Sequence, residues 1–213
     1  MTAVISAVFF DFGGVILSSP FDAFASYEQR SGLPAGFLRR VNATDPDTNA
    51  WARLERSEVS IAEFTDLFER EALELGHRVD GAAVLACLRG ELRPAMVRCV
   101  ERCAGRLTTV LVTNNFVTAT HDISPGAGQH YDHVLANFDH VVESSVVGVR
   151  KPDRRFYELA CGMAGVQPAE VVFLDDLGVN LKPARAMGMT TIKVIDPDQA
   201  ISDLEAVVGF PLS

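Results

Sequence analysis

Residues 4–16 read VISAVFFDFGGVI. An apolar run ends in one carboxylate, Asp11, and Gly13 and Gly14 follow almost at once. That pattern describes a buried strand whose chain then bends tightly around something charged. Four more short runs share its character: LTTVLVT (107–113), HVVES (140–144), VVFLD (171–175) and TTIKVI (190–195). Strands apolar at nearly every position are buried on both faces, which predicts a parallel sheet covered by helices.

Helical stretches separate the later strands. PDRRFYELACGMAGV opens with Pro152, a good first-turn residue, and loosens at Gly165; VNLKPARAMGM follows the fourth strand; DPDQAISDLEAVVG closes the sequence. The expected fold is therefore α/β, a Rossmann-like doubly wound parallel sheet. Residues 18–90 break the rhythm, with no convincing strand and several helical patterns. The clearest is SIAEFTDLFEREALELG (60–76), where Ser60 and Glu63 form a capping box and Ile61, Phe64, Leu67, Phe68 and Leu75 share a face. We expect a core of residues 1–17 and 91–213 with an inserted helical cap at 18–90.

The 213 residues are 48% apolar and 22% charged, ordinary for a globular chain, and the formal net charge of −9 offers no basic stripe for nucleic acid. No apolar run approaches the roughly 18 residues of a membrane span, and the start lacks a signal-peptide pattern, so a cytoplasmic location is expected. Cys99 and Cys103 lie four apart on an expected helix, but no second pair of ligands accompanies them, and they read as buried thiols with Cys87 and Cys161.

Ligands bind outside the carboxyl ends of the strands in an open parallel sheet. Those ends carry Asp11; Thr113, Asn114 and Asn115; Glu143 and Ser144; and Asp175 with Asp176, while Lys151 begins the next helix. Clustered carboxylates repel one another unless a cation sits among them, and hard oxygen donors suit Mg²⁺. A carboxylate held by a metal and a lysine can attack phosphorus, or carbon bearing a leaving group. Thr113, Asn114 and Lys151 could hold the oxygens of a phosphoryl group.

The stretches FFDFGGVI, VLVTNN, RKPD and FLDDLGVN, in that order, resemble the four motifs of the haloacid dehalogenase-like hydrolase superfamily, and the likeness covers essentially the whole chain. Within it, VESSVVGVRKPD and FLDDLGVNLKPARAMGMTTIKV are most similar to two domains. One is the N-terminal phosphatase domain of soluble epoxide hydrolase; the other is the hydrolase-like domain of some acyl-CoA dehydrogenase family proteins. The resemblance implies Asp11 as nucleophile, with Mg²⁺ held by Asp11, Asp176 and the backbone carbonyl of Gly13. It places Asp175 beside Lys151 and Asn180 around the metal, and gives the phosphate to Thr113, Asn114 and Lys151. It also implies a small phosphorylated metabolite as substrate.

One position departs from that pattern. Most phosphatases of the superfamily have a second aspartate, the proton donor and acceptor, where this chain has Gly13. Losing such a group lowers a rate by roughly 10²–10⁴. Three readings stay open: a phosphatase drawing its proton elsewhere, with Glu143 one candidate source; a binder of phosphorylated ligands or partners with little turnover; and a metal-independent 2-haloacid dehalogenase.

The helical segment gives weaker signals. Trp51, Phe64 and Phe68 fit an apolar entrance or, more ordinarily, a core; Arg53 or Arg56 could meet a second anionic group, against a solvated face shared with Glu55 and Glu58. Residues 120–140 hold His121, His130, His133 and His140 around a Ser-Pro-Gly-Ala-Gly run, whose spacing fits no zinc pattern and reads as a loop bordering the site or an interface.

Overall fold

The computed structural model describes residues 4–88, 90–114 and 131–212. Asn115, His121, His130 and the Ser-Pro-Gly-Ala-Gly run lie outside them. Five parallel strands form one sheet in the order β3-β2-β1-β4-β5: β1 Ala7–Phe10, β2 Thr108–Thr113, β3 His140–Glu143, β4 Val171–Asp175 and β5 Thr190–Lys193. Among the described residues, six α-helices fall between β1 and β2, and the first five build the helical layer: α1 Pro20–Arg30, α2 Phe37–Ala43, α3 Ala50–Glu55, α4 Ile61–Glu74 and α5 Gly81–Ala86. Then come α6 Pro94–Ala104, α7 Asp132–Leu135, α8 Ser144–Val147, α9 Arg154–Ala164, α10 Gly178–Ala186 and α11 Pro197–Val208.

Alternate residues of each strand feed two separate cores. Val8 and Phe10 pack with Met96, Cys99 and Val100 of α6 and Ile201 and Leu204 of α11. Ala7 and Phe9 pack on the other face with Phe156 and Tyr157 of α9 and Leu181 and Ala184 of α10. Cys99 and Cys103 are wholly buried in the first core, as expected of thiols. No helix among the described residues is long and apolar enough to cross a membrane.

Several strands are shorter than their apolar runs. Val4 is 83% exposed and Ile195 76% exposed, so hydrophobicity extends past the ladder. β5 stops at Lys193 because its partner β4 ends at Asp175, the residue opposite. The helix expected from Pro152 starts at Arg154, capped by Asp153, whose carboxylate accepts from the Arg155 N–H at 2.9 Å.

Helices α1–α5 surround a third core that includes Phe24, Phe37, Leu38, Trp51, Leu54, Phe64 and Phe68. Phe64 and Phe68 stack at 5.5 Å and Trp51 meets Phe64 edge-on at 4.8 Å, so these three rings form the core of the helical layer, not a lined entrance. The capping box at Ser60 and Glu63 closes in both directions. Ile61 is 40% exposed, and the fully buried stripe of α4 narrows to Phe64, Phe68 and Ala72, one residue per turn. The chain leaves and re-enters the sheet layer through adjacent connectors: Leu17 bridges Leu92, Ser18 N donates to Glu91 O at 2.8 Å and Arg93 N to Ile16 O at 2.9 Å.

The chain runs from β1 through β2 to β3 on one side, then returns to β4 and β5 on the other. The reversal opens a crevice at the carboxyl ends of β1 and its neighbours. Its floor is the turn Phe12–Ile16, which holds two different glycines. Gly13 has an ordinary extended backbone (φ −68°, ψ 133°), whereas Gly14 is left-handed at φ 76°. A Cβ on Gly14 would lie 2.2 Å from Asp176 Oδ2, while one on Gly13 would meet nothing within 4 Å. Gly14→Ala should therefore lower stability by about 1–2 kcal/mol, the left-handed backbone cost, and displace the Asp176 carboxyl. Gly13→Ala should stay within about 0.5 kcal/mol of the parent. Urea unfolding of the pair checks this.

Candidate active site

β1 and β4 lie side by side in register; Asp175 ends β4 and Asp11 lies just past the end of β1. Asp11 follows Phe10 directly; its N–H donates to Leu174 O at 2.9 Å and its carboxylate accepts from Phe12 N at 2.7 Å. Asp175 is the last residue of β4 and fully buried, with Asp176 next to it. Carboxylate oxygens of Asp11, Asp175 and Asp176 fall within 4.8 Å of one another.

Lys151 enters this cluster from the loop between α8 and α9 and is 1% exposed. Its ammonium lies 2.9 Å from Asp11 Oδ1 and 2.8 Å from Asp175 Oδ2. The Asn114 side chain fixes the main chain of Lys151, accepting from its N–H at 2.8 Å and donating to its carbonyl at 2.9 Å. Asp175 also accepts from Leu177 N at 2.7 Å and from the Asn180 amide at 3.0 and 3.1 Å. Asn180 in turn accepts from the Tyr157 hydroxyl at 2.7 Å. Asp175 is thus saturated by N–H donors and works as a holder for Lys151. Asp176 accepts a long contact from Ser19 Oγ, 3.4 Å, and makes no ion pair among the described residues.

The charges do not balance, since three carboxylates share one ammonium. Burial pushes the Asp11 carboxyl well above its ordinary value; Lys151 opposes this, and Asp175 and Asp176 add to it. Burial and then Asp175 raise Asp176 to about 6. Burial disfavours the Lys151 ammonium, but Asp11 and Asp175 hold its pKa above the ordinary one. The site carries surplus negative charge on hard oxygens, concentrated at Asp176 and the outer side of Asp11. That donor set fits a divalent cation such as Mg²⁺.

Thr113 is nearly buried at the end of β2, and its hydroxyl makes no hydrogen bond among the described residues. Glu143, opposite Thr113 in β3, stands two strand spacings from β1, about 10 Å. His133 and His140 belong to no metal-like cluster among the described residues. Arg93 Nη1 donates to Gly14 O at 2.8 Å and ties the connector to the turn Phe12–Ile16.

Glu55 departs from its expected place on a solvated face. Arg56 and Glu58 do pair at the surface, at 2.6 Å. Glu55, the last residue of α3, instead turns toward the sheet. Its Oε2 accepts from Arg150 Nη1 and, at 3.3 Å, from Asn114 Nδ2; its carbonyl accepts from Ser144 Oγ at 2.6 Å. Burial raises its pKa, against Arg150 and Lys151. These partners lie 59 to 95 residues away in sequence, so no local pattern could disclose them.

The raised Asp176 carboxyl fixes a pH dependence. The folded group titrates near 6 and the unfolded one near 3.8, so the folded chain binds this proton more tightly. The contribution to stability is full below pH 3.8 and is lost as pH rises through about 6, by up to roughly 3 kcal/mol. In chelator, Asp176→Asn should therefore stabilise the protein more at pH 7.0 than at pH 4.5 in urea unfolding. An equal effect at both would contradict the charge surplus.

The profile of the haloacid dehalogenase-like hydrolases matches residues 5–188. Acyl-CoA dehydrogenase family member 10 of Mus musculus is 34% identical over 97% of this chain and 19% of its own length. Bifunctional epoxide hydrolase 2 of Sus scrofa is 30% identical over 97% of this chain and 39% of its own length. The chain therefore spans well under half of either relative. Phosphatase MT3486 of Mycobacterium tuberculosis is 30% identical over 87% of this chain and 85% of its own length. Among solved structures, a HAD family enzyme of Bacteroides thetaiotaomicron in complex with magnesium and inorganic phosphate has the same fold. It superposes with a TM-score of 0.61 at 16% identity, over 89% of this chain and 93% of that one. The four motif stretches and every residue of the carboxylate–lysine cluster fall inside the matched span, and the chain belongs to the haloacid dehalogenase-like hydrolases.

Proposed function

We propose that this chain is a Mg²⁺-dependent phosphatase acting on a small phosphomonoester, with Asp11 attacking phosphorus to form an aspartyl phosphate that water then hydrolyses. The observation that carries this reading is the buried Lys151 ammonium held between Asp11 and Asp175 beside an unpaired Asp176. Asp11 presents a carboxylate at the mouth of the crevice, and Lys151 neutralises it enough for a dianionic substrate to approach. Thr113 and Lys151 receive the phosphoryl oxygens. Because the Asn114 amide is committed to the Lys151 main chain, its role is to set the lysine in place. Asp175, fixed by Asn180, keeps the ammonium directed at the reacting group.

Asp11, Asp176 and the carbonyl of Gly13 would hold Mg²⁺, which supplies positive charge to the transferring oxygens when bound. The helical segment 18–90 serves as a cap that chooses the substrate, joined to the core 1–17 and 91–213 through the paired connectors at Leu17 and Leu92. A cytoplasmic setting suits its four free thiols. A phosphatase among the relatives, matched over most of both lengths, supports this reading. The surplus carboxylate at Asp176 disfavours the dehalogenase alternative, because it would repel a haloacid.

A panel of phosphorylated metabolites, assayed with Mg²⁺ and with chelator, tests the proposal. Release of phosphate should require Mg²⁺ and should fall by at least about 10³-fold in Asp11→Asn. Unchanged activity in that variant would remove Asp11 as nucleophile. Tight binding of a phosphate analogue with no turnover across the panel would make the chain a binding module.

A further inference from the structure

The phosphatase reading leaves the proton for the leaving oxygen unassigned, since Gly13 has no side chain. Sterics do not forbid an acid there: the backbone of Gly13 is an ordinary φ −68°, and a Cβ would meet nothing within 4 Å. The proton then comes from water, the substrate or another group at the crevice. Asp11 is the attacking group, Asp175 is already saturated by Lys151, Leu177 and Asn180, Asp176 faces the cation site, and Glu143 stands two strands away.

The geometry points to Glu55, carried over the sheet by α3, as the proton donor to the leaving oxygen and the acceptor from the attacking water. Its carboxylate touches Asn114, the residue after Thr113 that clamps the main chain of Lys151. Both of its hydrogen-bond donors use Oε2, and Oε1 takes none among the described residues. Its main chain is pinned to the start of α8 by Ser144. The charged groups facing it are Arg150 and Lys151 from the sheet layer and Arg56 at the end of its own helix. Burial raises the pKa of Glu55 from its ordinary value, against the lowering effect of these cations.

The chemistry balances in two steps, and this assignment rests on the phosphatase reading. In the first, an Asp11 oxygen bonds to phosphorus and the bond from phosphorus to the leaving oxygen breaks. Its electron pair stays on that oxygen, which takes the proton of Glu55 and departs as an alcohol. In the second, the Glu55 carboxylate takes a proton from water as the water oxygen bonds to phosphorus. The bond from phosphorus to Asp11 breaks, its electron pair returns to the aspartate, and inorganic phosphate leaves. Glu55 ends protonated, as it began.

The test compares Glu55→Gln with the parent, as the full chain with Mg²⁺, on an alkyl phosphate and on p-nitrophenyl phosphate. The alkyl leaving group needs a proton and the nitrophenolate does not. Glu55→Gln should lower kcat on the alkyl ester by roughly 10²–10⁴. On p-nitrophenyl phosphate it should release about one equivalent of nitrophenolate per chain rapidly and then stall, because the second step lacks its base. A merely structural role would slow both esters by one factor and give no burst. That result, or no effect on either ester, would overturn the assignment of Glu55 while Asp11→Asn still abolished turnover. Should the parent hydrolyse neither ester, the phosphatase reading fails, and this assignment falls with it. If Glu55→Gln does not fold, Glu55→Asp decides: it should slow the alkyl ester more than nitrophenolate release, and equal slowing would overturn the proposal.

Discussion

The constraint on which the rest of the structure depends is the burial of the Lys151 ammonium between Asp11 and Asp175. Taking a charge out of water costs several kcal/mol, and pairing repays this only when geometry and further hydrogen bonds are good. The chain meets that demand with residues from four places in the sequence. Asn114 at the end of β2 clamps the lysine main chain, and Asn180 on α10 and Leu177 before it complete the shell of Asp175. Tyr157 on α9 holds Asn180. Each of these groups stands at the carboxyl end of the sheet or just beyond it. A parallel sheet brings all its carboxyl ends to one edge, and that is how residues so far apart in sequence meet at one ion.

The two adjacent glycines of the first turn show what sequence can and cannot resolve. Both read as turn residues after an apolar strand. Gly14 is obligatory, because its left-handed backbone and the approach of Asp176 leave no room for a side chain. Gly13 faces open space and has a backbone any residue could adopt. The first glycine is therefore a matter of chemistry and the second a matter of packing.

The fold was legible because its strands are buried on both faces, which leaves a nearly unbroken apolar signal at 171–175 and 107–113. Boundaries slipped where hydrophobicity outlasts hydrogen bonding, as at Val4 and Ile195, since the ladder ends with the partner strand and not with the last apolar residue. The strand-end polar residues were legible for a related reason: one carboxylate closing an apolar run is an ordinary cap, but several at the same ends of neighbouring strands are not. Asn114 was visible as a polar residue at a strand end, but its engagement with Lys151 was not, because a side chain reaching across 37 residues leaves no local pattern.

Glu55 lies at the far limit of that legibility. In sequence it sits between Leu54 and Arg56 in a charged stretch, indistinguishable from the surface pair that Arg56 and Glu58 do form. What separates them is the direction each takes at the end of α3. The helical layer touches the crevice there through Arg150, Asn114 and Ser144, and rejoins the chain of the sheet layer at the Leu17–Leu92 bridge. Arg93, beside that bridge, also holds the carbonyl of Gly14. The turn after β1 is thus braced from the connector side, and the lysine loop from the α3 side. The helical layer is therefore part of the architecture around the carboxylate–lysine cluster.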